Sequence, residues 1–508
     1  MQSTSFKQRF RRALAHALLA GLAGVCLAAT SSAQMDAQAA AQMSAQTAGQ
    51  IAAQASVMQF ESGQPLGYSS QPYALDTGAQ PVEQGGSASG RIFAQTIRVP
   101  GAQWLRLIFA EATLGPGSYI QITSLKDGGR QQLDAASLEL WGNTSAFFNG
   151  DAVTFELFAA PDDANARVRM ENLWYGDPAL LSALATSDLA PLGVNAPVSL
   201  CASDDRVAST ETRVGRLWGH VNGSCTAWLI SNGAVLTAGH CVDLDPDGGG
   251  PLLPDGVLNL SGVMEFDVPL SQANGNVNMA APEDQFPIDL SSVTWRFDGE
   301  GQGLGKDWAV FRINPNTTTG ERAHVGRGFF RVTNGNPATN ATMRITGFGS
   351  DTGTANFTNQ TSTGPYVGEN SSGADIWHRY QVDTTGGNSG SPIIWTANGY
   401  TVGIHTNAGC NPDGSGANNG TSFEVDALET AMQNFPGAPT RYVDSVAPYP
   451  TGGETGFIFN PFNTVGEGVT AVPAGGRVSI VAGAYTEGAQ TINKAVTLEA
   501  PVGSAVIR

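Results

Sequence analysis

An all-β chain of more than one domain is what this sequence predicts, on three observations. Hydrophobic residues make up 41% and charged residues only 14%, while 63 glycines and 27 prolines point to many short strands joined by turns. Segments such as RIFAQTIRV and AVTFELFA alternate apolar and polar side chains with the period of two that a half-buried strand requires. At 508 residues the chain also exceeds what one hydrophobic core organises. A helical bundle or coiled coil is excluded by the same pattern.

Residues 1–33 read as a secretory signal: Lys7, Arg9, Arg11 and Arg12 precede a short apolar run and the small residues Ser31, Ser32 and Ala33. Residues 34–90 are Ala/Gln-rich and then Gly/Ser/Gln-rich, with too few large apolar groups to offset ordering entropy, and read as linker. Residues 91–178 hold five alternating segments separated by Gly, Pro and Asp, the pattern of a small β-sandwich. After a loose stretch at 179–200, residues 201–440 form a second β-rich block, long enough for two packed barrels, with ALETAMQNF near its end as a closing helix. A linker at 441–456 precedes a tail, 457–508, whose strands VSIVAGAYTE and VTLEAPVG lie one β-helix rung apart. Too short to bury a core alone, that tail is expected to dock on something.

The formal charge is −18. Residues 1–33 carry four of the 26 basic residues and no acidic one, so the remainder holds 22 basic against 44 acidic groups, a net of −22. Its field disfavours nucleic acid and anionic membrane as partners. Cys26 lies in the signal, and Cys201, Cys225, Cys241 and Cys410 remain. In an oxidising compartment an even set implies two disulfides, with three connectivities open. A zinc site is disfavoured because no pair has the close C-x-x-C spacing.

Chemistry concentrates in three segments of the 201–440 block. CTAWLISNGAVLTAGHC ends on His240, KDWAVFRI carries Asp307, and DTTGGNSGSPII carries Ser389 in a glycine-rich turn. A serine hydroxyl becomes a nucleophile when an imidazole takes its proton, the imidazole needs a carboxylate to hold its tautomer, and the tetrahedral oxyanion needs backbone donors. Gly386 and Gly387 let the chain turn so that the Gly387 and Ser389 amides aim at one spot. The chain order His, Asp, Ser excludes the orders of subtilisins and of α/β-hydrolases, and with the latter a lipase or esterase reading.

The block resembles the trypsin/chymotrypsin-family serine endopeptidases: TAGHC, DWAV and GNSGSP match the family's three motifs, and ITGFG its glycine-bearing strand. The resemblance implies a chymotrypsin-like double β-barrel with His240, Asp307 and Ser389 in the cleft, disulfides Cys225–Cys241 and Cys201–Cys410, protein or peptide substrates, and no cofactor. Animal members carry an aspartate before the nucleophile, where this chain has Asn388. An amide cannot pair with a freed N-terminal amine. The likeness is therefore nearer to secreted bacterial glutamyl and lysyl endopeptidases, and the 91–178 sandwich resembles the pro-regions of lysyl-endopeptidase-like bacterial proteins; the chain's own pro-region then counts as a partner. Export to the extracellular space or periplasm follows from the signal and the cysteines.

Thr384 and His405 match the residues that hold the substrate carboxylate in glutamyl endopeptidases, while Asp383 matches the trypsin position that selects Lys and Arg. The acidic preference is the favoured reading, with Lys/Arg specificity or a non-catalytic protease-like binding protein as alternatives. Thr406, Asn407 and Ala408 would form the edge along which an extended peptide adds as a strand. No Lys, Arg or Glu lies between Glu171 and Arg206, so an enzyme strict for any of these would not cut its own linker. Asp243, Asp245 and Asp247 resemble the start of a calcium loop, but Pro254 stands where a bidentate Glu belongs, so no metal is expected.

Overall fold

The computed structural model describes residues 68–78, 89–178, 200–219, 224–243, 260–297, 303–435, 437, 439–446, 449–450 and 453–508. All belong to one compact unit, Phe60–Arg508. The expected signal at 1–33 and most of the two linkers at 34–90 and 179–200 lie outside the described residues. Among the described residues no helix is long and apolar enough to cross a membrane.

Among the described residues eight strands come first: β1 (Tyr68–Asp76), β2 (Gly90–Arg98), β3 (Trp104–Thr113), β4 (Tyr119–Ser124), β5 (Arg130–Leu133), β6 (Phe148–Asn149), β7 (Ala152–Ala159) and β8 (Arg167–Gly176). They pair into two four-stranded sheets, β1-β8-β3-β6 and β2-β7-β4-β5. Inward residues of both sheets, among them Leu105, Leu107, Ile120, Ile122, Phe155, Leu157 and Val168, bury a common core. β1 falls inside the span read as linker. It is an edge strand held by its ladder to β8, from Tyr68↔Gly176 to Asp76↔Arg169, and contributes little beyond Tyr73 and Leu75 to the core, so its polar sequence hides it.

A two-residue strand, β9 (Val207–Ala208), precedes the first barrel, which is closed by β10 (Val214–Gly219), β11 (Ser224–Leu229), β12 (Val235–Thr237), β13 (Leu260–Glu265), β14 (Gln285–Arg296) and β15 (Trp308–Ile313). The second barrel uses β16 (Thr342–Gly347), β17 (Gln360–Ser372), β18 (Asp375–Tyr380), β19 (Pro392–Trp395), β20 (Tyr400–Asn407) and β21 (Asn418–Ser422). Their order β16-β19-β20-β21-β18-β17 closes through a β16–β17 pairing, and β9 adds to the edge of β17. Each barrel has its own apolar filling, around Phe266, Phe286 and Phe311 in the first and Met343, Tyr366, Tyr380 and Ile393 in the second. Trp228, Phe330, Ile404 and Phe423 pack between them with Leu428 and Met432, which belong to an α-helix at Asp426–Gln433 overlapping the expected closing helix.

The sandwich packs on the outside of the first barrel. Val263, Val277, Met279 and Phe357 join its core, Asn149 exchanges two 2.9 Å hydrogen bonds with the Met279 backbone, and Gln285 exchanges two of 2.8 Å with the Phe147 backbone.

The tail begins earlier than its composition suggested. β22 (Thr440–Val443) lies partly in the span read as linker and pairs in parallel with β23 (Arg477–Ile480), which pairs in parallel with β25 (Thr497–Glu499); β24 (Gly483–Tyr485) and β26 (Ala505–Ile507) form a second parallel pair. A parallel strand finds its partner only after a crossover, here Thr440↔Arg477, so local sequence does not reveal it. Tyr442, Ile458 and Phe459 join the cluster between the barrels, and Asp444 accepts from Arg331 at 2.6 Å, which supplies the docking that the short tail needs.

Candidate active site

His240 lies on a tight turn, Gly239–Cys241, just after β12. A Cβ at Gly239 would collide with the Arg296 carbonyl, so the turn closes only on glycine. Asp307, fully buried ahead of β15, grips the histidine twice: Oδ1 accepts from the His240 backbone amide at 3.0 Å, and Oδ2 lies 2.7 Å from Nδ1. That leaves Nε2 as the ring nitrogen open to a reactant. Burial pulls the His240 imidazolium down, but the charge and hydrogen bond of Asp307 outweigh it, and the pKa is raised above the usual histidine value. Phe297 covers the ring, with centroids 5.8 Å apart, a contact no sequence signal announces.

The Ser389 turn is clamped from both barrels. Thr226 of β11 donates its amide to Ser389 O at 2.8 Å and its hydroxyl to Gly387 O at 3.0 Å, and Trp228 Nε1 donates to Gly390 O at 3.0 Å. From β20, His405 accepts from the Gly390 amide and donates to Ser391 O, both at 2.8 Å. Gly387 and Gly390 have φ of 103° and 88°, and a Cβ on either would strike a carbonyl oxygen, of Phe348 or of Thr226. Among the described residues the Gly387 and Ser389 amides have no acceptor, whereas the Asn388, Gly390 and Ser391 amides are all used within the fold. Cys241 Sγ touches Ser389 O at 3.8 Å, which sets the His240 turn against the serine turn.

Disulfides join Cys225 to Cys241 and Cys201 to Cys410. The cluster Cys225, His240 and Cys241 has metal-site dimensions, but the bonded sulfurs offer no thiolate. Of the acidic loop, Asp243 is buried beside the histidine turn, and Asp245 and Asp247 lie outside the described residues.

Around the serine turn the four residues Asp383, Thr384, His405 and Thr406 are all buried. Asp383 points at the start of the peptidase block: its carboxylate accepts from the amides of Cys201 at 2.6 Å and Asp205 at 2.9 Å. Thr384 Oγ1 accepts from Asn418 Nδ2 at 3.1 Å, and Asn418 Oδ1 in turn accepts from the Gly409 and Cys410 amides. His405 Nδ1 lies 2.6 Å from the Tyr380 hydroxyl. Burial, then the nearby His240, lowers its pKa to about 3, so it is neutral at physiological pH. Between His405 and Asn407 the β20–β21 register shifts, leaving Thr406 outside the ladder. Asn418 and Tyr380 were missed from sequence, as was the partnering of His378, which is sealed in the second barrel between the Tyr366 hydroxyl at 2.8 Å and Val402 O at 3.1 Å. A hydroxyl, a carboxylate-held imidazole and two unengaged amides are the equipment of acyl transfer.

Residues 225–404 match the family model of the trypsin-like peptidase domain. No curated protein matches the chain. Among solved structures, a Glu endopeptidase in complex with MPD is 19% identical, covering 47% of this chain and 99% of its own with a TM-score of 0.34. The protease Anisep from Arthrobacter nicotinovorans is 18% identical, covering 44% of this chain and 98% of its own at TM-score 0.33. A thermostable serine protease, AL20, from an extremophilic microorganism is 15% identical, covering 43% of this chain and 98% of its own at TM-score 0.32. The chain thus carries a trypsin-like peptidase domain, matched over residues 225–404 and set in two six-stranded barrels.

Proposed function

We propose that the protein is exported by its N-terminal segment and cuts polypeptides after acidic residues through an acyl-enzyme on Ser389. His240 Nε2 takes the Ser389 proton as the oxygen attacks the scissile carbonyl carbon, and Asp307 stabilises the resulting imidazolium. The oxyanion is received by the Gly387 and Ser389 amides. The proton then passes to the leaving amine, and water repeats the sequence to free the acid. The observation that carries this reading is the double grip of Asp307 on His240, which fixes ring orientation and tautomer together.

The acidic preference rests on Asp383. With both carboxylate oxygens engaged by backbone amides, it offers a substrate cation little, and Thr384 and His405 remain as the polar groups by the serine turn. His405 is neutral, with Nδ1 2.6 Å from the Tyr380 hydroxyl, and in the tautomer protonated on Nε2 it can donate from that nitrogen to a substrate carboxylate. Fluorophosphonate labelling lost in Ser389→Ala, together with cuts after Glu and Asp in a peptide library, is the expected result. Cuts after Lys or Arg would overturn the specificity, and a folded protein that takes no label would favour the binding-protein alternative.

A further inference from the structure

We infer that Arg206 is a positioning residue that shapes the oxyanion turn from within the uncut chain, an inference that rests on the hydrolase reading above. Its side chain is only 4% exposed although it lies just past the start of the peptidase block. Nη1 donates to three acceptors on the second barrel: Thr385 Oγ1 at 2.7 Å, Ser350 O at 3.0 Å and Gln360 Oε1 at 3.2 Å. The rest of the guanidinium is held by Asp204, whose Oδ2 accepts from Nη2 at 2.7 Å, and faces Asp351 at 3.6 Å.

Two of those acceptors, Ser350 and Thr385, lead to the serine turn. Ser350 donates its amide to Gly386 O at 2.7 Å, and Thr385 Oγ1 donates to Ser350 O at 2.8 Å. Thr385 and Asn388 close on one another, with the Thr385 amide on Asn388 Oδ1 and the Asn388 amide on Thr385 O, both at 3.0 Å. The residues so fixed, 385, 386 and 388, bracket Gly387 and Ser389, whose amides are the unengaged pair. Gly349 is wedged among them: a Cβ there would meet Asn388 Oδ1, Thr385 Oγ1 and Arg206 Nη1 together. Asn388 cannot hold a charged amine in an ion pair, and a cation that contacts Thr385 of the turn comes instead from an internal side chain. No new chain end is needed to build the turn, so it exists before any cut in the linker.

The test uses full-length protein and reads kcat, KM and the fluorophosphonate labelling rate per titrated site, on the uncut band, with thermal melting as a folding control. Arg206→Gln is expected to lower kcat and labelling rate by roughly 10- to 100-fold with KM within about threefold, since a misplacement near 1 Å can cost about that much. Arg206→Lys recovers part of the loss. Thr385→Val acts in the same direction and adds little in the Arg206→Gln background, as expected of two residues in one hydrogen-bond network, while the loss in kcat at nearly constant KM separates positioning from a merely structural role. Arg206→Gln labelling within twofold of wild type, or wild-type label appearing only after linker cleavage, overturns the inference alone. A wild-type protein that never labels removes the hydrolase reading and the inference with it.

Discussion

His240 shows how one residue sets a pH limit. Its pKa is raised because the Asp307 carboxylate favours the imidazolium more strongly than burial disfavours it. In the proposed mechanism only the neutral ring accepts the Ser389 proton, and that form is lost as pH falls through a value above 6.5, the usual one for histidine. The acidic limb of kcat/KM is expected above 6.5, and Asp307→Asn, which removes the raising charge, is expected to move the limb down in whatever activity remains. A limb at or below 6.5 in wild type would contradict the balance of causes. His405 and His378 do not blur that profile, because burial lowers them to about 3 and about 4.

At the scale of elements, the β11–β12 hairpin and the histidine turn are stapled by Cys225–Cys241, across a sequence separation of 16. Closing a loop of that size is worth about 3 kcal/mol in the chain-entropy model. The double variant Cys225→Ala/Cys241→Ala is expected to melt roughly 6–12 °C lower, at about 2–4 °C per kcal/mol for a domain of this size. An unchanged melting temperature would show that the hairpin holds without its staple. Elements of this kind were legible in the sequence because their signals are local: the Asn232-Gly233 turn, the alternation of β2 and β7, and GNSGSP with its obligatory glycines can each be read within a dozen residues. What escaped is nonlocal. Arg206 meets Thr385 across 179 positions, Asn418 meets Thr384 across 34, and Tyr380 meets His405 across 25, and none of these residue types foretells its partner. β1 and β22 escaped for the same reason, since their distinguishing property is a ladder to a distant strand.

In the whole molecule the sandwich and the peptidase behave as one interior. Phe357 sits in the sandwich's core cluster, yet it packs against Trp218 at 6.2 Å, its carbonyl accepts from the buried Arg216 at 3.0 Å, and its ring is among the atoms nearest to where a Cβ on Gly387 would lie. Its φ of 50° is a left-handed backbone that a phenylalanine adopts only under surrounding constraint. Arg216 pairs in turn with the fully buried Glu265, whose other oxygen accepts from the Ala280 amide next to the Met279–Asn149 contact. An interface with a shared core and reciprocal hydrogen bonds should not fall apart when the connecting chain is severed. After cleavage within residues 179–199 the sandwich is expected to co-elute with the peptidase in size-exclusion chromatography and to separate only in denaturant. A sandwich that elutes alone in native buffer would refute this.

The Cys201–Cys410 bond contributes no atom to the reaction, yet it moors the opening residues of the peptidase, a few positions ahead of Arg206, to the wall that Asn418 organises. Reduction would therefore harm the enzyme by slackening a mooring line and leaving a guanidinium to search for its berth. The contribution of that bond is in this sense mechanical, set by how far a short strap of chain is free to wander.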